Sequence, residues 1–146
     1  MDVDFENKIR AFRKAFPDEE TCLRLLARYK WENGFFCKKC GHSNYYRGKS
    51  MFSRRCTRCK SEESATAHTV FHRCKIPLNK AFEIAFLICS KPDISSYEIS
   101  NRIKIRHMTC YGFQKKIANC GDSPTEKALL KKVLETLNHT VEVQLN

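Results

Sequence analysis

Phe5, Ile9, Phe12 and Phe16 recur at three- and four-residue intervals, and the spacing predicts a short amphipathic helix over residues 5–15. Pro17 then opens a second helix, with Asp18, Glu19 and Glu20 in a first turn where the helix dipole favours anions. Cys22, Leu23, Leu26 and Tyr29 form its apolar stripe, and Gly34 ends the segment. Helical period is lost over residues 34–71. Phe35, Phe36, Tyr45, Tyr46, Phe52, Val70 and Phe71 are separated there by Gly and Ser, the pattern of short β-strands. From Pro77 the helical period returns, with Leu78, Phe82, Ala85, Phe86 and Cys89 on one face and Pro92 as the stop. Ser95 followed by Glu98 reads as a capping box, flanked by Ile94 and Ile99 as a hydrophobic staple. That helix ends near Ile103. Lys104 to His107 make a tight connection to a helix running to about Asn119, whose inner face is Cys110, Phe113 and Ile117, with Tyr111 at its margin. Gly121 breaks the chain. Ser123, Pro124 and Glu126 make a second capping box before a stripe of Leu130, Val133, Leu134 and Leu137. Thr140 to Leu145 carry no assignable period.

Cysteine changes the reading of the central segment. The 146-residue chain has nine cysteines, an odd and high number. The first residues include Asp2, Asp4 and Glu6 where a secretory leader would be basic, and the longest apolar stretch, Ala81 to Cys89, contains Glu83 and is too short to span a bilayer. The expected location is therefore the cytoplasm, with no membrane partner, where thiols stay reduced and paired cysteines suggest metal. Cys37-x2-Cys40 and Cys56-x2-Cys59 are separated by fifteen residues. Each pair fits a tight turn, and the intervening hairpin brings the second pair round to complete a tetrahedron on one Zn2+. Gly41 follows the first pair, where such a turn needs a residue tolerant of positive φ. Four thiolates leave zinc no open position, so the site is structural. The alternatives are an iron–sulfur cluster on the same cysteines, four reduced core thiols, or His42 in place of one ligand. Cys22, Cys74, Cys89, Cys110 and Cys120 are scattered and read as core packing.

The fold class that follows is α+β: a small four-cysteine zinc ribbon flanked by helices, then a helix-turn-helix-like helical module. The division expected is residues 1–33 as an N-terminal helical segment, 34–73 as the ribbon, 74–121 as the helical module, and 122–146 as a C-terminal helix and tail.

Charge adds a partner. The formal net charge is +11, but the two ends are near neutral and the excess lies in residues 33–121. Asn33 to Ser61 holds no acid, while Arg47, Lys49, Arg54, Arg55 and Arg58 stand among its cations. Ile99 to Gly121 is also acid-free and carries Arg102, Lys104, Arg106, Lys115 and Lys116. Two basic segments point to a polyanion, with double-stranded DNA the leading partner; a solvated surface is the bland alternative. Residues 95–119 have the shape of a helix-turn-helix, whose second helix would present Arg106, His107, Met108, Thr109 and Gly112 near its start, with Gln114, Lys115 and Lys116 further along to meet phosphates.

The run Phe16-Pro17-Asp18-Glu19-Glu20 with Cys22-Leu23, the Trp31 to Gly34-Phe35 segment, the Cys37-x2-Cys40-Gly41 knuckle, Arg47 and Cys56-x2-Cys59 stand in a specific order. They are followed by Ser64-Ala65-Thr66-Ala67, Thr69-Val70-Phe71-His72 and Pro77-Leu78. Together these resemble the N-terminal zinc-ribbon and helix-turn-helix region of a bacterial insertion-sequence transposase family, over roughly residues 14–120. The resemblance implies binding to the inverted repeats that end a mobile element. In complete members an RNase H-like domain with an acidic triad follows and does the strand transfer; here 26 residues follow Cys120. The sequence departs from the family at Glu63, where an aromatic residue is usual, and at His68 and Lys104, where glycine is usual. The expectation is a truncated or accessory DNA-binding module with no catalytic residues and no enzymatic activity of its own. The alternatives are a subunit whose triad lies on a separate transposase catalytic chain, a self-associating homo-oligomer, or a zinc-ribbon protein-interaction module.

Overall fold

The computed structural model describes residues 3–119 and 124–145. Six helices and a three-stranded antiparallel sheet appear among them: α1 Val3–Ala15, α2 Glu19–Lys30, β1 Tyr45–Arg47, β2 Arg54–Cys56, β3 Glu62–Glu63, α3 Leu78–Ser90, α4 Ser96–Ile103, α5 His107–Asn119 and α6 Pro124–Leu145. The class is α+β, as the sequence pattern implies.

Helix α3 is the centre. Ala81 to Leu87 are all buried, so the helix is surrounded rather than one-faced. Cys89, expected on the inner face, is exposed instead, because the helix end has emerged from the core and its thiol meets Asn138 Nδ2 at 3.0 Å. Around α3 the rings of Phe12, Phe16, Phe71, Phe82, Phe86 and Phe113 interlock. Phe12 stacks on Phe86 with centroids 5.0 Å apart, and Phe71 bridges Phe82 and Phe113 at 4.8 and 6.0 Å. Each such ring removed from water contributes about 1.5–3 kcal/mol. Glu83 is a carboxylate within this apolar helix. It is held by the fork of Arg13 from α1, with Nε donating to Oε1 at 3.0 Å and Nη2 to Oε2 at 2.8 Å, which is the condition for keeping a buried charge.

Several boundaries differ from the pattern-based ones for identifiable reasons. Asp18 is not in the first turn of α2 but caps it: its carboxylate accepts the Thr21 N–H at 2.9 Å, leaving Glu19 and Glu20 in the turn. Glu19 then reaches across to accept the Leu78 N–H at 3.1 Å, supplying α3 with the cap that Pro77 cannot. Ser95 caps α4 as expected, but the Glu98 carboxylate is engaged by Lys91 and Arg102 rather than by the reciprocal half of a capping box. Ile94 and Ile99 are both buried, as a staple requires. Strand content over residues 34–71 is smaller than the aromatic content suggested. Phe35 and Phe36 precede the sheet, and Val70 and Phe71 lie in a turn that drives them into the helical core. Tyr111 lies outside, 41% exposed. Thr140 to Leu145, unassigned from sequence, continue α6, and Val141 is buried. The expected break at Gly121, the cap at Ser123 and Cys120 lie outside the described residues.

Helix α6 closes the bundle against α1, α2 and α3. Its contacts include a Tyr29–Thr136 hydroxyl pair at 2.5 Å and a Lys132–Glu32 ion pair at 2.5 Å. Helices α4 and α5 pack on each other, joined by Lys104–Arg106. Lys104 takes a left-handed conformation, φ +60°, and its N–H returns to Ser100.

Candidate metal centre and basic surface

Each cysteine pair forms a knuckle of the same design. In the first, the Gly41 N–H bonds the Cys37 carbonyl at 2.8 Å, and Gly41 has φ +77°. In the second, the Lys60 N–H bonds the Cys56 carbonyl at 3.1 Å, and Lys60 takes φ +65°. The turn demands a left-handed residue after each pair; glycine meets the demand without strain at the first and lysine is forced into it at the second. Sheet register then sets the knuckles face to face, since Tyr45 opposes Cys56 across β1 and β2.

The result brings together the four expected ligands. Cys37 Sγ lies 3.5 Å from Cys59 Sγ, Cys40 Sγ lies 3.6 Å from Cys56 Sγ, and all four sulfurs fall within 4.8 Å of one another. A tetrahedron of zinc–sulfur bonds about 2.3 Å long has edges of about 3.8 Å, so the donor set and its spread fit one structural zinc ion. The shortest separations are too long for disulfides, and the described cysteines are all free thiols. The Ser61 hydroxyl and amide pull the Cys59 thiol down to about 6, which favours the thiolate a metal requires. Amides of Arg58 and Cys59 also point at Cys56 Sγ. His42 is not among the converging groups; its carbonyl accepts the Cys37 N–H at 2.9 Å. Trp31 and Phe35 pack behind Cys37 and Cys56 in a small cluster separate from the helical core.

The basic residues picked from the sequence fall into distinct environments. Arg47, Lys49 and Arg58 are exposed and, among the described residues, make no ion pair. Arg54 is stacked, with its guanidinium carbon 4.6 Å from the Trp31 centroid and 4.1 Å from that of Tyr45. Arg55 is neutralised by Glu62 at 2.9 Å. Arg106, just before α5, and Lys115 and Lys116 on it are exposed; Thr109 is half-buried. His107 is engaged within the protein: its ring lies flat on Tyr97 at 3.7 Å and 8°, and Nε2 meets Ser96 Oγ at 2.7 Å.

Glu62 is the residue that sequence reasoning missed. Its carboxylate accepts the Lys49 and Ser50 amides at 3.2 Å each, the Ser53 hydroxyl at 2.9 Å and the Arg55 guanidinium at 2.9 Å. One carboxylate from β3 thus folds the loop between β1 and β2 around itself and aims Arg47 and Lys49 outward. Gly48 permits the approach, because a Cβ there would lie 2.2 Å from Ser53 Oγ and 2.7 Å from the Glu62 carboxyl carbon. The available signal was a pair of acids, Glu62 and Glu63, closing a long acid-free run.

These donors, led by the Lys49 and Ser50 amides, push Glu62 down from 4.5 to about 2. A depressed carboxylate contributes stability that is fully present above its ordinary value and is lost as pH falls toward its folded one. Glu62 therefore stays ionised across the whole range in which thiolates hold zinc, and adds no pH dependence of its own between about pH 5 and 8. Glu62→Gln is expected to retain zinc but to speed amide exchange at Lys49 and Ser50 by about tenfold. Unchanged protection by NMR exchange would show that the loop does not depend on the carboxylate.

Among the described residues, no helix is long and apolar enough to cross a membrane. No curated protein and no solved structure matches the chain. Residues 17–62, running from the entry to α2 through the knuckles to the Glu62 carboxylate, match the family model described as the transposase zinc-ribbon domain.

Proposed function

We propose that the protein is a duplex-DNA-binding module of transposase type, in which Cys37, Cys40, Cys56 and Cys59 bind zinc, the ribbon supplies sequence-independent attraction, and α4–α5 act as a helix-turn-helix. Residues 34–73 and 74–121 are its two functional units. The observation that carries the reading is electrostatic. In the helical bundle Glu83, Glu6 and Glu32 are held in ion pairs by Arg13, Arg102 and Lys132, and Glu63 of β3 is held by Lys30. Arg47, Lys49, Arg58, Arg106, Lys115 and Lys116 have no such match among the described residues. Unmatched cations on one molecule cost self-repulsion that a polyanion relieves. The ribbon's metal, with four thiolates and no open position, is a folding element rather than a reaction centre, so the module binds without cutting. The environments also divide labour. Arg47, Lys49 and Arg58 meet phosphates; Arg54 and Arg55 shape the ribbon; Arg106 and Thr109 reach base edges; Lys115 and Lys116 meet flanking phosphates; and His107 fixes α5 against α4.

Fluorescence anisotropy on a selected duplex and a scrambled one, across a salt series, tests this. Affinity should fall steeply with salt, with a log–log slope of about −0.9 per phosphate contact. Arg47→Ala should weaken both duplexes alike and flatten the slope, whereas Arg106→Ala or Thr109→Ala should cost about 1–3 kcal/mol on the selected site and little on the other. Affinity that hardly changes with salt sinks the nucleic-acid reading in favour of a protein-interaction ribbon. Retained selectivity in the α5 variants reduces the helix-turn-helix to packing.

A further inference from the structure

Between the turn that leaves the ribbon and the start of α5 lies a groove of about 340 Å³, lined among others by Arg73, Lys75, Arg106, Thr109, Gly112 and Lys116. Four of these side chains are cationic, and no carboxylate lines the groove. Arg73 and Lys75 are exposed and make no ion pair among the described residues, and neither belongs to the acid-free runs that direct attention to the ribbon and to α5. The turn that carries them is anchored rather than loose. Phe71 is locked between Phe82 and Phe113, Ile76 is buried, and Lys116 Nζ donates to the His72 carbonyl at 3.2 Å. Arg73 is held at φ +52°, a conformation that costs an arginine energy and persists because the anchors on either side dictate it. The positive field there is felt by His72, whose imidazole is held below its usual value by burial and then by Arg73, His68, Lys116 and Lys30. The groove also opens on the first turn of α5, whose leading amides have no partner within the helix. Gly112, one turn on, leaves the helix surface bare, with nothing within 4 Å of where a Cβ would stand.

We infer that this groove is a phosphate cradle for the sugar–phosphate backbone of duplex DNA, in which Arg73 and Lys75 from the ribbon's exit turn and Lys116 from α5 grip one strand beside Gly112, while Arg106 at its edge is left to the bases. The inference rests on the DNA-binding reading above and extends it to a third contact region. Its place decides the ligand class: it adjoins the end of α5 that enters the major groove, where a flanking strand must pass. The bare helix surface at Gly112 admits a backbone closely.

The test is duplex binding by the full-length zinc-loaded protein, by anisotropy on a 20-base-pair scrambled duplex, for wild type, Arg73→Gly/Lys75→Ala and Gly112→Gln. Arg73→Gly relieves the left-handed strain and Gly112→Gln enters empty space on an exposed helix face, so both variants should fold, as circular dichroism will report. The double variant should lose about two phosphate contacts, flattening the log–log salt slope by about 1.8 and weakening binding on the order of tenfold to a hundredfold at 0.1 M salt. Gly112→Gln, which fills the groove without altering charge, should flatten the slope as well. Wild-type binding with both variants unchanged overturns the cradle and leaves the DNA reading standing. No salt-dependent binding by wild type overturns both. Poly-glutamate bound as tightly as the duplex, and lost equally in the double variant, reassigns the groove to an acidic protein and also overturns the proposal.

Discussion

Cys37→Ser or Cys59→Ser should strip the protein of its metal and melt the ribbon, while helices α1, α3 and α6 keep their circular dichroism. The wild-type protein should carry about one zinc per chain, and free energies on the order of 10 kcal/mol accompany structural zinc binding, more than any other interaction in the ribbon supplies. The helical bundle has its own core, from Phe5 on α1 to Val141 on α6, and the ribbon's cluster of Trp31, Phe35, Cys37 and Cys56 is separate from it. Loss should therefore be local. Cys22→Ala and Cys89→Ser are the controls. Cys22 is fully buried and burial pushes its thiol up to about 12, while Cys89 is exposed at the end of α3. Both should keep the metal. Elemental analysis after gel filtration reads the result, and equal zinc loss across all four variants would overturn the ligand set.

The second large effect is expected at Lys30. Its side chain is 8% exposed, pairs with Glu63 at 2.6 Å, and donates to the carbonyls of Ser64 at 2.7 Å and Ala67 at 2.5 Å. Burial pulls the ammonium below its ordinary value and Glu63 opposes that pull. Lys30→Met leaves a carboxylate that is 11% exposed with no counter-charge, and should cost about 3–5 kcal/mol. Lys30→Met/Glu63→Phe replaces the pair with apolar surface and should recover most of the loss, because exchanging a whole buried pair for packed hydrophobic groups is often neutral. Denaturant midpoints at fixed zinc separate the cases. If the double variant is as unstable as the single one, the carbonyl bonds and not the charge pair hold the ribbon to α2.

What the sequence disclosed follows from where each interaction is encoded. The zinc ligands are legible because two x2 spacings contain the geometry of two knuckles. The caps at Ser95 and the stripes of α5 and α6 are legible because their partners lie within a few residues. The left-handed positions at His68 and Lys104 were visible as departures from glycine, and both have positive φ. Lys30–Glu63, Arg13–Glu83 and the Glu62 cradle were not visible, because their partners meet only after the chain has folded and a lone charge carries no mark of its partner. Val70 and Phe71 misled for the opposite reason. Two apolar residues in a row satisfy the strand pattern, but the Thr69 hydroxyl bonds the Thr66 carbonyl at 2.6 Å and closes a turn that plugs them into the bundle. Arg73 and Lys75 fall between the acid-free runs, so only the groove reveals them beside α5.

The packing of α1 on α6 sets an order of events during synthesis. Phe5, Ile9 and Phe12 emerge from the ribosome well before part of the surface they share a core with, around Val133, Leu137 and Val141. Such pairing of early with late chain raises contact order and slows closure. The ribbon, by contrast, joins ligands only 22 residues apart at most and can capture its metal while the rest is still being made. The nascent protein would then carry a finished zinc centre on an unfinished helical body, whose exposed phenylalanines await α6.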